Sequence, residues 1–161
     1  MRYLKYFLAA LLLWGLGGCA EPEYDRANSA YIVLKTPALK YADMGFVYEN
    51  RSSVKVEIYG SGQVLMRLRI SKDSVCMSQL QCLSKNAFNA QVLNSNYPPD
   101  TIENIFRGKT VFNDTGISTK SNGFTQKIKK PGKYSIEYSV LNNEIVFRDT
   151  INEILIKVIK Q

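Results

Sequence analysis

Few residues in this chain can do covalent or metal chemistry. It holds three cysteines, Cys19, Cys76 and Cys82, and no histidine. Without histidine there is no Ser-His-Asp or Cys-His arrangement to activate a nucleophile, and no imidazole to complete a zinc site. The 14 acidic residues could in principle supply a carboxylate pair, but none lies in a distinctive motif. Asp73 and Asp114 sit in turn contexts, where Asp is expected for its backbone hydrogen bonding. The glycines are scattered and form no phosphate-binding loop. Asn50-Arg51-Ser52 and Asn113-Asp114-Thr115 match the glycosylation acceptor pattern at chance frequency. These residues argue against an enzyme and call for no cofactor or metal.

The cysteines point to position and cross-linking instead. Arg2 and Lys5 form a positive start, and Phe7 to Leu16 is apolar apart from Gly15. That run is far short of the roughly 20 residues a spanning helix needs, so it reads as the core of an export signal. Leu16-Gly17-Gly18-Cys19 follows directly and resembles the bacterial lipobox. The resemblance implies removal of Met1–Gly18, a diacylglyceryl group on the Cys19 thiol, and acylation of the new amino group. Two or three acyl chains give stable membrane attachment where one does not. Ala20, not Asp, follows the cysteine. By resemblance to the sorting rule of enteric bacteria, this favours the outer membrane, with the domain facing the periplasm. In that oxidising setting Cys76 and Cys82 are expected to pair as a disulfide closing a small loop, the alternative being two free buried thiols. Their C-x5-C spacing suits neither zinc nor a C-x-x-C redox site.

Removing Arg2 and Lys5 from the 21 basic residues leaves 19 against 14 acidic, a net +5 from Cys19 onward. The excess is spread along the chain, and an exported protein is not expected to bind nucleic acid. One cluster, Lys127, Lys129, Lys130 and Lys133, surrounds Pro131-Gly132 and reads as a solvated hairpin turn, the alternative being contact with anionic lipid headgroups. Residues 19–29 are polar and read as the lipidated N-terminus and tether. Residues 30–161 read as a single domain.

Within that domain the hydrophobic period is mostly two. Strands are expected at Ala30–Thr36, Lys40–Tyr48 (with Gly45 marking a bulge), Val54–Tyr59, Val64–Ile70 and Ser74–Leu80. After Cys82 the period changes. Ser84 caps a helix to about Leu93. Asp100 and Glu103 form a capping-box pattern for a helix over Thr101–Arg107, ended by Gly108. Strands return at Val111–Phe112, Phe124–Lys130, Lys133–Leu141, Ile145–Thr150 and Ile154–Ile159. The expected fold is mainly β with one or two short helices, as a curved antiparallel sheet or incomplete β-barrel. An immunoglobulin-like β-sandwich is the alternative.

The stretch from Val54 to Val111 resembles the LolA/LolB lipoprotein-carrier family. It offers a strand, the turn Tyr59-Gly60-Ser61-Gly62-Gln63, the strand Val64–Ile70, and Asn96-Tyr97-Pro98-Pro99-Asp100 leading a short helix that ends Phe106-Arg107-Gly108. The resemblance implies an open barrel lidded by helices, with Ile102, Ile105 and Phe106 as the lid. It implies a cavity for acyl chains or other lipoproteins, and a membrane-facing or delivery turn at Tyr59, Gly60 and Gly62. This turn departs from the family in lacking a protruding Leu, and Tyr59 is the nearest substitute. The alternative is an envelope assembly module with a filled core and a protein partner.

Overall fold

The computed structural model describes residues 22–77 and 81–161. Met1–Gly18 and Cys19, the expected lipidation residue, lie outside the described residues, as do residues 78–80. Eleven strands form one sheet: β1 (Arg26–Lys35), β2 (Lys40–Glu49), β3 (Val54–Gly60), β4 (Gln63–Ile70), β5 (Ser74–Cys76), β6 (Cys82–Ser84), β7 (Ile117–Lys120), β8 (Gly123–Lys130), β9 (Tyr134–Leu141), β10 (Glu144–Asp149) and β11 (Ile154–Lys160). Two helices, α1 (Lys85–Val92) and α2 (Thr101–Arg107), lie between β6 and β7.

The spatial order is β6-β5-β4-β3-β2-β1-β11-β10-β9-β8-β7. Every strand is antiparallel to its neighbours, and β1 pairs with both β2 and β11. The chain therefore lays down one half of the sheet, crosses by its helices, and lays down the other half. The sheet is not closed, because β6 and β7 are its two ends. It is the curved antiparallel sheet expected from the period-two pattern. The sandwich alternative is corrected, since all eleven strands belong to one continuous sheet.

Curvature follows from what the helices touch. Helix α2 packs against both β3 and β10, which are four places apart in the strand order. A short helix can reach both only if the sheet bends around it. Ile102, Ile105 and Phe106 are fully buried there, among Val54, Val56 and Ile58 of β3 and Ile145 and Phe147 of β10. Gly108 ends α2 at φ +65°, a left-handed position that Gly adopts without steric cost.

Several boundaries differ from the sequence reading. β1 starts at Arg26, so the tether ends sooner than Ser29. The reason is that β2 is long enough to pair Arg26 with Glu49 and Ala27 with Tyr48. Gly45 is not a bulge: it stays in register, and a Cβ there would meet the Glu57 carbonyl oxygen and the Ile32 side chain. The register shift lies instead between Ile58 and Tyr59. The expected strand from Ser74 ends at Cys76. Ser84 caps α1, its side chain accepting from the Ala87 N–H at 3.2 Å. Asp100 makes no such cap on α2. Its carboxylate instead accepts from Lys85 Nζ at 2.7 Å, and Glu103 accepts from the same ammonium at 2.7 Å. Val111–Phe112 is no strand: Phe112, Asn113 and Asp114 all have positive φ and form a tight turn.

The connector between the halves is fastened by buried polar groups. Asn89 Nδ2 donates to the carbonyls of Tyr97 (3.3 Å) and Pro98 (2.9 Å). The Gln126 amide on β8 exchanges two 2.9 Å bonds with the Val111 backbone and donates to Thr115 O at 2.8 Å. Tyr138 Oη donates to Lys109 O at 2.8 Å. Tyr97 Oη donates to the buried Asp149 carboxylate at the end of β10. Burial alone would raise the Asp149 pKa. Hydrogen bonds from Tyr97, Asn152 and the backbone N–H groups of Ser135 and Ile151 outweigh it and hold the carboxyl below its ordinary value.

A carboxylate with a depressed folded pKa contributes stability that is complete at neutral pH and fades as pH falls below about 4, the ordinary carboxylate value. Tyr97→Phe removes the hydroxyl and leaves Asp149 short of a donor. It should destabilise the fold by about 1–3 kcal/mol at pH 7. The loss should be smaller at pH 3, as read from urea unfolding midpoints of both proteins at both pH values.

Candidate functional site

The register gives the sheet two chemically different ends. The β1–β2, β3–β4 and β8–β9 turns share one end. At this end an apolar depression of about 380 Å³ is lined by Leu39, Tyr41, Val64, Leu65, Met66 and Met77, with Arg67 at its margin.

Local sequence explains each wall. Thr36 is buried and folds the β1–β2 turn, its hydroxyl accepting from the N–H groups of Ala38 (3.2 Å) and Leu39 (3.0 Å). That turn carries Leu39 and Tyr41 to the edge of the core. Ser61 (φ +50°) and Gly62 (φ +79°) form the two-residue turn between β3 and β4, with both central residues left-handed as a type I′ hairpin requires. The register shift just before it pairs Ile58 with Met66 but Tyr59 with Val64, leaving Leu65 as the extra residue. Met77 follows the bonded Cys76–Cys82 pair, whose residues face each other across β5 and β6. Its N–H donates to Gln81 O at 3.0 Å.

Val64 is 38% exposed and Leu65 55% exposed, so the lip of the depression is apolar and open to solvent. Leu65 also lies over Gly60, where a Cβ would sit 2.4 Å from Leu65 Cδ1. The sequence reading missed Leu65 as a site residue. Its signal was the alternation of Leu65, Arg67 and Arg69 with Val64, Met66, Leu68 and Ile70, which already put Leu65 on the side away from the core.

Tyr59 is placed differently from the expected delivery residue. Its hydroxyl donates to Glu57 Oε2 at 2.9 Å, and its ring meets Phe46 edge-on at 5.9 Å. Glu57 also accepts from Arg67 Nε at 2.7 Å, with Lys55 Nζ 3.9 Å away. Tyr59 therefore lies down on the outer face, and Leu65 is the more exposed of the two apolar side chains, Val64 and Leu65, beside the turn. Ile102, Ile105 and Phe106 are fully buried in the common core and do not line this depression. The Lys127, Lys129, Lys130 and Lys133 cluster is exposed around the β8–β9 turn. No protein-family model matches the chain, and no curated protein is significantly similar to it.

The Glu57 hydrogen bond and nearby burial push the Tyr59 pKa up to about 12. Burial would raise the Glu57 pKa too, but its bonds to Tyr59 and Arg67 hold it below the ordinary value. Glu57→Gln removes the charge that opposes phenolate formation. Tyr59 should then titrate near its ordinary value of about 10, visible as one shifted resonance in a tyrosine-labelled NMR titration.

Proposed function

We propose that this is a lipid-anchored protein of the bacterial envelope, held through Cys19 on the periplasmic side of the outer membrane, that receives acyl chains in the apolar depression at the far end of its sheet. The chains would be those of lipids or of other lipoproteins, as the LolA/LolB resemblance implies. One observation carries the reading: an open depression of about 380 Å³ whose walls are Leu39, Tyr41, Val64, Leu65, Met66 and Met77, with Arg67 as the one charged lining side chain. Its size is within the roughly 300–1,000 Å³ of small-ligand sites. Two methionines suit a ligand without fixed shape, because the unbranched thioether repacks at little cost. Binding needs no covalent step and no titrating group.

A second reading rests on a different surface. Tyr31, Met44 and Phe46 are exposed on the outer face of β1 and β2, where an apolar group marks a contact with a protein partner. The two readings separate by mutation. With Cys19→Ser to prevent lipidation, the exported chain should bind a fluorescent long-chain fatty acid. Leu65→Glu should weaken that binding at least about tenfold, the loss of one buried leucine contact, while Met44→Glu should leave it unchanged. No fatty-acid binding, together with loss of a specific envelope crosslink in Met44→Glu, would favour the partner reading.

A further inference from the structure

The opposite end of the sheet holds a pocket of the contrary character. It has a volume of about 420 Å³, and five of its lining side chains are cationic: Arg26, Arg51, Arg107, Lys109 and Lys160. Asp25 and Glu49 are the acidic ones, so cations exceed anions by three. Arg26, Arg51 and Lys109 are exposed around the opening.

Arg107 is the most telling of these. Its side chain is only 10% exposed. Nε donates to Glu103 Oε1 at 2.9 Å and Nη1 to Asn50 O at 2.9 Å. Nη2 is buried with no hydrogen-bond partner among the described residues. A buried guanidinium N–H without an acceptor is costly, and an anion oxygen is its best complement. The nearby Glu49 does not supply one, standing 3.9 Å from Arg107 Nη1 and 3.7 Å from Lys160 Nζ.

The surroundings fix the backbone that carries Arg51 and Lys109. Asn50 Oδ1 accepts from the N–H groups of Ser52 (3.0 Å) and Ser53 (2.7 Å), fixing the turn that presents Arg51. Asn50 Nδ2 donates to Glu23 O at 2.6 Å and binds the incoming chain to the same turn. Tyr138 fixes the backbone at Lys109. The pocket also lies where the chain enters the fold. Arg26 is seven residues after Cys19, so even a fully extended tether keeps it within about 25 Å of the anchor.

We infer that this pocket binds a phosphate-bearing group, with Arg107 at its floor and Arg26, Arg51 and Lys109 at its rim. The phosphate could be carried by a membrane lipid headgroup or be free in solution. Only the headgroup source rests on the lipid anchor proposed above, and neither source depends on acyl-chain binding at the far end.

The test uses the exported Cys19→Ser chain and two triple variants of equal charge change. One is Arg26→Gln/Arg51→Gln/Lys109→Gln at the pocket. The other is Lys129→Gln/Lys130→Gln/Lys133→Gln at the opposite end. Inorganic phosphate titrated by calorimetry should bind the parent and the opposite-end variant alike, and the pocket variant at least about tenfold more weakly. Sedimentation with phosphatidylglycerol vesicles should show the same ranking if the source is a headgroup. Phosphate binding without that vesicle ranking identifies a soluble phosphate compound as the ligand. Equal weakening of both variants, or no phosphate binding by the parent, overturns the inference. Retained thermal unfolding in both variants separates these outcomes from misfolding.

Discussion

An unclosed sheet of eleven strands can bury only one of its faces, and only if something is laid across it. Here the cover is the connector from Lys85 to Thr115, and the rest of the structure depends on how it is held. Its two helices are too short to be stable alone. They persist because Phe88, Ile102, Ile105 and Phe106 are buried in the common core and because charges tie the pieces together. Lys85 on α1 bridges Asp100 and Glu103 at the start of α2, and Glu103 in turn holds Arg107. Burial acts to lower the Lys85 pKa, yet its bonds to the two carboxylates hold it above the ordinary value. The ammonium is thus charged and compensated where it is least exposed, as a buried ion must be. At the far end the Tyr97–Asp149 bond attaches the connector to β10. Since α2 touches β3 as well, these fastenings also set the curvature of the sheet.

The same connector sorts chemistry to the two ends. Arg107 and Lys109 close α2 beside the point where the chain enters, and there they join Arg26, Arg51 and Lys160. Tyr97 lies at the other end, in an edge-to-face cluster with Phe112, Tyr134 and Phe147. Asn50 binds the chain at Glu23 to the basic end, so the proposed anchor at Cys19 would lie nearer that end than the apolar lip of Val64 and Leu65. A protein that handles apolar cargo beside a membrane benefits from that order. Under the proposed anchoring, the headgroup layer would meet cations and the apolar opening would stay clear of the bilayer.

Much of this fold was legible in the sequence, for identifiable reasons. Val64, Met66, Leu68 and Ile70 alternate with more polar neighbours, and that period survives in β4 because one face is core and the other is not. Ser84, Gly108, Ser61-Gly62 and Pro131-Gly132 marked ends and turns by backbone chemistry that does not depend on the rest of the fold. Tertiary demands were not legible. Phe112 reads as strand, but its ring is wanted between Tyr97 and Tyr134, and the backbone turns left-handed to put it there. Asp100 reads as a cap, but the buried Lys85 across the connector is the stronger claimant. The apolar lip depends on a register shift at Ile58/Tyr59, and a shift of pairing leaves no mark in one strand's sequence. The basic pocket gathers residues from four separate segments, none of them remarkable alone.

The open edges bear on where a ligand can go. Unpaired edge strands invite aggregation unless they are short, charged or pinned. Both edges are protected in this way: β6 has three residues and is bonded to β5 through Cys76–Cys82, and β7 has four, ending in Lys120. The sheet can therefore stay open without closing into a barrel. Its two halves then differ in the side chains that fill them. Around β8 to β10 the interior is filled by Phe124, Tyr138 and Phe147 in tilted and edge-on contact, a packing of rigid rings with little room to adjust. Around β4 and β5 the inner wall is Met66, Leu68 and Met77, with Leu39 across the opening, and flexible side chains there can part and close again. The acyl chain proposed as ligand would need a wall that can repack, and the half nearer β6 offers one, beside the disulfide that bonds β5 to β6.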